Sequence, residues 1–573
     1  MAWYDEAIFY HIYPLGLTGA PKENSYGEPA HRLNTLLPWI DHIKSIGCNA
    51  IYIGPLFESV GHGYETTDYK KLDSRLGDNQ DLKNFVAECH NKGIKVIFDG
   101  VFNHTGRDFF AFKDIKEKRE GSQYRDWYCN VNFGGNNEYN DGFSYDNWGG
   151  YNLLVKLNQR NPAVKDYICD VVRFWVSEFD VDGIRLDAAD VLDFDFMKAL
   201  RHVANEVKPE FWLMGEVIHG DYSRWVNEGT LHSVTNYQLH KALYSGNNDH
   251  NFFEIAHTVK RLYEMGSNNP NGFKLYNFVD NHDVERIYTK LNNKAHFTPV
   301  HILLYTLPGI PSLYYGSEFG IEGRKEKFSD ASLRPALNLD DYRNALTDNS
   351  FTALIAALGR TRQQSKALSY GDYRELKLMN RQYAFSRNFE GESVVVTVNN
   401  DDSDFTMTVP AGNAAEYAGA LSGQKVRVEN GSICVNVKAN SGEIWLPVTD
   451  KTADMLSDVT PVALHVEDAV KNTAAPAAET AKTPAPENAA PKTPETMPDD
   501  SHTSANVTAD NTPSVSEPHA GTSEEFERGK IAGLQEAILA IMEKNGPVTD
   551  QMRKDVTDNV YHDSLINWIK SFR

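Results

Sequence analysis

The sequence predicts an α/β protein: a (β/α)8 TIM barrel with an irregular insert after strand three, a C-terminal antiparallel β-sandwich, a disordered linker and a small helical module. Three observations predict it. From about residue 5 to 360, short apolar runs alternate with longer helical patterns, as parallel strands wrapped by helices require. After residue 370 the pattern switches to period two, which suits antiparallel strands. Between Trp445 and Phe526 there is no aromatic residue at all, so that stretch cannot bury enough apolar surface to offset its ordering entropy.

The barrel is expected over residues 1–365. Its apolar runs include Ala50-Ile51-Tyr52-Ile53, Lys95-Val96-Ile97-Phe98, Gly183-Ile184-Arg185-Leu186, Phe211-Trp212-Leu213-Met214 and Tyr276-Asn277-Phe278-Val279. Runs of this kind suit strands buried on both faces. Between two of them, Ile168, Val171, Val172, Trp175 and Val176 share one helical face. Trp39, Trp175 and Trp212 fall inside such patterns and are expected in the core. Residues 105–158 interrupt the alternation with Gly, Asn, Asp and aromatics, and are expected to form an irregular excursion whose Trp127 and Trp148 could stack on a ligand.

The sandwich is expected over 366–448, with strands at Tyr383-Ala384-Phe385-Ser386 and at Val394-Val395-Val396-Thr397-Val398 before the Asn399-Asn400 turn. Residues 449–522, dominated by Ala, Pro, Thr, Glu and Ser, read as a Pro-stiffened linker. In 523–573 a helical stripe returns with Ile531, Leu534, Ile538 and Ile541, and a second with Leu565, Ile566, Trp568 and Ile569. A core this small is marginal alone, so self-association or a protein partner is expected there.

The net charge of -22 over 573 residues disfavours nucleic acid and anionic membranes, which would repel it. Five scattered cysteines without CxxC spacing argue against a zinc knuckle and a disulfide framework. The chain opens Met1-Ala2-Trp3-Tyr4-Asp5-Glu6, with no basic segment followed by an apolar one, so a cytoplasmic protein is expected. A secreted chain from which a leader had been removed reads the same way. No run approaches a membrane-spanning length.

Function is expected at the C-terminal ends of the barrel strands. Four acidic segments stand there: Asp99-Gly100-Val101-Phe102-Asn103-His104, Arg185-Leu186-Asp187, Gly215-Glu216-Val217 and Asp280-Asn281-His282-Asp283. One such acid could cap a helix; four, with Arg185 and two histidines beside them, point to chemistry. Glycoside hydrolysis needs one carboxylic acid to protonate the leaving oxygen and a nearby carboxylate to attack the anomeric carbon. Arg185 lies two residues before Asp187, on the same strand face, where it can keep that aspartate ionised. Crowding by the other carboxylates favours a protonated Glu216.

The order Asp-x-Val-x-Asn-His, Gly-Ile-Arg-Leu-Asp, Gly-Glu-Val, Val-Asp-Asn-His-Asp resembles the α-amylase family of glycoside hydrolases over roughly residues 5–448. His62-Gly63-Tyr64, Thr67-Asp68-Tyr69, Val155-Lys156-Leu157-Asn158 and Gly309-Ile310-Pro311-Ser312-Leu313-Tyr314-Tyr315-Gly316-Ser317-Glu318 agree with it. The resemblance implies a retaining hydrolase of α-1,4-glucosidic bonds in starch-derived α-glucans or maltodextrins. Asp187 would be the nucleophile, Glu216 the acid/base, and Asp283 a binder of sugar hydroxyls that stabilises the transition state. His104 and His282 would hydrogen-bond the sugar in the cleaved subsite and Tyr64 would stack on it, with Asp99 and Arg185 holding the geometry. Tyr69 is expected to pack. The resemblance implies no cofactor for the chemistry, and leaves open a structural calcium, for which Asn103 is the candidate ligand.

Two departures bear on the branch. Lys156-Leu157-Asn158 is similar to the version in neopullulanases and cyclomaltodextrinases, which usually carry an N-terminal domain before the barrel. Where typical α-amylases have a Lys-His pair after the nucleophile, this chain has Asp190 and Val191. The rival activities are 4-α-glucanotransfer and action on sucrose; a non-catalytic glucan-binding scaffold is disfavoured because all three catalytic acids are present.

Overall fold

A computed structural model describes residues 2–266, 272–327, 329–449, 452 and 459–462. The expected helical module and most of the expected linker lie outside the described residues. Eight parallel strands pair in chain order: β1 Phe9–Ile12, β2 Ala50–Ile53, β3 Lys95–Gly100, β4 Gly183–Leu186, β5 Trp212–Gly215, β6 Ser233–Val234, β7 Tyr276–Asn277 and β8 Ile310–Tyr314. β8 returns to β1, and the bridge Thr235–Tyr276 joins β6 to β7, so the sheet closes as a barrel.

The strands are buried on both faces, which explains their unbroken apolar runs. Inside the barrel, Trp212 stacks on Phe9 at a centroid distance of 5.2 Å and on Tyr4 at 5.9 Å. With Met214, Tyr276 and Ile310 these rings form an apolar plug. Outside, the helix Pro162–Phe179 turns Val164, Ile168, Val171, Val172, Trp175 and Phe179 inward, with Val176 at the margin of that stripe. Its start follows local rules: Asn161 accepts from Ala163 N, and Pro162 occupies the first turn.

The insert is more ordered than its composition suggests. It contains the helix Phe110–Lys118 and a three-stranded antiparallel sheet of His104–Gly106, Tyr151–Lys156 and Asn147–Trp148. Its aromatics supply a local core, Phe112, Tyr128, Phe143 and Tyr145 being buried together. Trp127 packs against Phe110, Tyr124 and Tyr167, while Trp148 is half-buried.

Residues 372–447 form two antiparallel sheets, one of six strands and one of two, enclosing Val395, Met407, Val409, Tyr417, Val435 and Trp445. Arg387 ties this sandwich to the barrel by donating to Thr306 O at 2.6 Å. Within the segment expected to be a linker from 449 onward, residues 459–462 lie on the sandwich: Val462 N donates to Leu421 O at 3.1 Å, and Val459 and Val462 pack against the core. No helix among the described residues is long and apolar enough to cross a membrane.

Candidate active site

The parallel register places Asp99 of β3 beside Arg185 of β4. Period-two alternation then puts Asp187 on the same side as Arg185. The result is one buried guanidinium shared by three carboxylates. Its Nη1 donates to Asp99 Oδ1 at 2.9 Å and to Asp187 Oδ1 at 2.8 Å, and its Nη2 lies 2.9 Å from Glu216 Oε2. Asp187 and Glu216, each one residue past the end of adjacent strands, therefore share one guanidinium.

Burial pushes the Asp187 carboxyl well above the usual carboxylate range; Arg185 pulls it down, and Glu216 and Asp99 push it further up. One positive charge thus faces three acids. Glu216 Oε2 also accepts from Ala188 N at 3.1 Å. Among the described residues Oε1 has one, longer partner, the Tyr237 hydroxyl at 3.3 Å.

Asp99 is a structural hub. Besides Arg185 it accepts from Tyr52 Oη at 2.9 Å and Tyr64 Oη at 3.1 Å. Tyr64 sits on the turn of the hairpin Phe57–Ser59/Thr66–Leu72 that follows β2. Gly63 makes that turn possible: its φ is +100°, and an added Cβ would lie 2.2 Å from Pro55 Cγ. The Tyr64 ring is stacked on His282 at 5.7 Å, and its hydroxyl meets His282 Nε2.

Past β7, the two acids of the Asp280–Asp283 segment part company. Asp280 turns into the protein and accepts from Ile287 N and Ser317 Oγ, each at 2.8 Å. Asp283 remains partly exposed beside His282 Nε2 at 3.0 Å and Arg334 Nη2 at 2.9 Å. Burial would raise its carboxyl, but His282 and Arg334 outweigh that and hold it well below the usual range. Arg334 also donates from Nε to His282 O and lies over the Tyr13 ring at 4.7 Å.

His104 is buried, and burial pushes its imidazole down to about 3, so the ring is neutral. Both nitrogens have partners: Nδ1 faces Asn103 Nδ2 at 3.3 Å, and Nε2 faces the Tyr64 carbonyl at 3.1 Å. Tyr69 is fully buried and donates to Val101 O, which makes it a packing residue. Asn103 Oδ1 is buried without a hydrogen-bond partner. Calcium needs six to eight oxygens, usually with carboxylates among them. Among the described residues only His31, Asp78 and Asp81 gather three acidic or histidine groups. That group does not include Asn103.

The structure thus brings together Tyr64, Asp99, His104, Arg185, Asp187, Glu216, His282 and Asp283. Sequence reasoning missed Tyr52, Tyr237, Asn281 and Arg334 as parts of this cluster. The Asp330–Arg334 spacing of four was a faint signal for the last, and Asn281 stood inside the Asp280–Asp283 segment without a role of its own; Tyr52 and Tyr237 had no such signal.

The chain is similar to known proteins over most of its length. Residues 23–360 match the α-amylase catalytic domain, and 371–445 match the α-amylase C-terminal domain. A cyclomaltodextrinase of Thermoanaerobacter pseudethanolicus is 32% identical over 421 residues, 70% of this chain and 71% of the relative. Neopullulanase 2 of Thermoactinomyces vulgaris is 29% identical over 77% of this chain and 78% of its own length. A solved cyclomaltodextrinase structure superposes with a TM-score of 0.67 at 26% identity, covering 78% of each chain. The chain belongs to the α-amylase family and is an α-glucan hydrolase of that family.

Proposed function

We propose that this chain hydrolyses α-1,4-glucosidic bonds of linear and cyclic maltodextrins by double displacement, with Asp187 as nucleophile and Glu216 as acid/base. The observation that carries this reading is the single Arg185 guanidinium bridging Asp187 and Glu216. It brings both carboxylates onto one cation, as a retaining pair must lie near each other, and its charge favours the ionised form of Asp187 against burial and the neighbouring acids. The reaction requires a proton on Glu216.

Oε2 of Glu216 is committed to Arg185 and Ala188, so Oε1 is the oxygen that carries the proton. In the first step Asp187 attacks the anomeric carbon while Glu216 protonates the departing glucosyl oxygen. In the second, Glu216 takes a proton from water, which displaces Asp187. Asp283, anchored by Arg334, binds the hydroxyls of the distorted sugar together with His282. Tyr64 offers its ring to the sugar, and His104 secures the Tyr64 backbone. The chemistry needs no cofactor. The α-glucan is the partner this site supports.

Proton NMR of the first-formed product from maltotetraose tests the reading. The α-anomer should appear first and mutarotate slowly; an initial β-anomer would remove Asp187 from the nucleophile's role.

A further inference from the structure

We infer that Tyr237 is a positioning residue for the general acid, fixing Glu216 Oε1 as the oxygen that delivers the proton. This rests on the proposed role of Glu216.

Tyr237 is the first residue of the helix Tyr237–Asn248, which starts just past β6. Its backbone is anchored by Asn236, whose side chain accepts from Leu239 N and donates to Asn277 Oδ1 at 2.8 Å. Its ring packs edge-on against Phe278 at 4.9 Å. Two residues earlier, Thr235 Oγ1 accepts from Val217 N at 2.9 Å. The end of β6 therefore grips both the backbone following Glu216 and the Glu216 carboxyl.

The direction of the hydroxyl proton follows from its neighbours. Asn281 Oδ1 accepts from Asp283 N at 2.8 Å and Val284 N at 3.1 Å. With its oxygen so occupied, Asn281 must present Nδ2 to Tyr237, and it does so at 3.3 Å. The Tyr237 oxygen is the acceptor in that contact, so its one proton is free to point at Glu216 Oε1, 3.3 Å away. A hydroxyl donating to one lone pair of Oε1 leaves the other for the catalytic proton, and it holds the carboxylate in place once that proton has gone. The chain Asp283 backbone–Asn281–Tyr237–Glu216 links the segment bearing Asp283 to the acid itself.

The leaving group separates this role from packing or substrate binding. Departure of an alkoxide depends on protonation; departure of fluoride depends on it far less. Tyr237→Phe keeps the ring against Phe278 and removes only the hydroxyl. It should lower kcat/KM for maltotriose by about tenfold or more, while kcat/KM for α-maltosyl fluoride stays within about twofold of wild type. Equal losses on both substrates, or no loss on either, would overturn the inference. Should Tyr237→Phe not fold, Asn281→Asp, which keeps an acceptor for Asp283 N and Val284 N but draws the Tyr237 proton away from Glu216, gives the same ratio test with a smaller expected split. Failure of the underlying reading looks different: Glu216→Gln would then retain wild-type activity on maltotriose.

Discussion

Arg185 Nη1 donates to Asp187 Oδ1 at 2.8 Å, from a position two residues earlier on the same strand. Arg185 is buried, and burial opposes its charge, yet Asp99 and Glu216 hold its guanidinium well above its ordinary range. Its planar fork meets three carboxylates at once, a geometry that a lysine ammonium cannot reproduce. Arg185→Lys is therefore expected to fold but to lose at least about 10²-fold in kcat. Arg185→Met, which leaves the acids unpaired, should also cost about 3–5 kcal/mol of stability. Steady-state kinetics and denaturant melts on both variants check this; near-wild-type turnover in Arg185→Lys contradicts it.

Gly63→Ala should act on catalysis through Tyr64. The new methyl collides with Pro55, and its backbone conformation is strained for any L side chain. Relief requires the turn to move and Tyr64 to leave its stacked place on His282. A displacement near 1 Å corresponds to a loss of up to about 10²-fold in kcat/KM. Kinetics on maltotriose would show it, with retained folding verified by calorimetry.

The buried histidines predict acid sensitivity of the fold. His301 lies inside the helix Phe297–Thr306, stacked closely on Phe297, and burial lowers its imidazole to about 4. In the unfolded chain it titrates near 6.5. The unfolded state binds the extra proton between those values, so stability is full above about pH 6.5 and falls as pH drops toward 4. One such group contributes up to about 3 kcal/mol to that loss. His301→Leu should flatten the melting temperature against pH between 6.5 and 4, whatever it does to stability at pH 7. Parallel curves for wild type and variant would exclude the effect.

Ending the chain after residue 462 should leave hydrolysis of short maltooligosaccharides within about twofold of the full-length protein. Every site residue named above lies between Tyr52 and Arg334, ahead of the sandwich, and Val459 and Val462 pack against the core. Ending it after 448 instead exposes the surface these valines cover, and should lower the melting temperature by a few degrees. Self-association, read by light scattering, is the property the longer cut should alter if residues 523–573 assemble.

The acids at the barrel mouth were legible in the sequence because a parallel strand writes its own signature. Lys95–Phe98 and Gly183–Leu186 are largely apolar runs buried on both faces, and the acid that ends each, Asp99 or Asp187, falls at the barrel mouth. Five of the eight strands could be read this way. β6 contributes only two residues, Ser233 and Val234, too few for any period to emerge. The order inside the insert was hidden for a related reason. Its core is made of aromatics such as Phe112, Phe143 and Tyr145, spaced by Gly and Asn turns with no regular period.

Sequence alone determined the fold class, the strand-end acids and the alternation that seats Arg185 beside Asp187, because each depends on neighbours in the chain. Tertiary structure alone decided which groups complete them. Tyr64 meets His282 across 218 residues, Arg334 meets Asp283 across 51, and Tyr237 meets Glu216 across 21. It also decided that Asp280 turns inward while Asp283 stays at the cleft, and that both His104 nitrogens are taken. Such pairings follow from barrel closure and from turns like Gly63, where hydrogen bonding and packing between distant segments fix directions that no local pattern encodes.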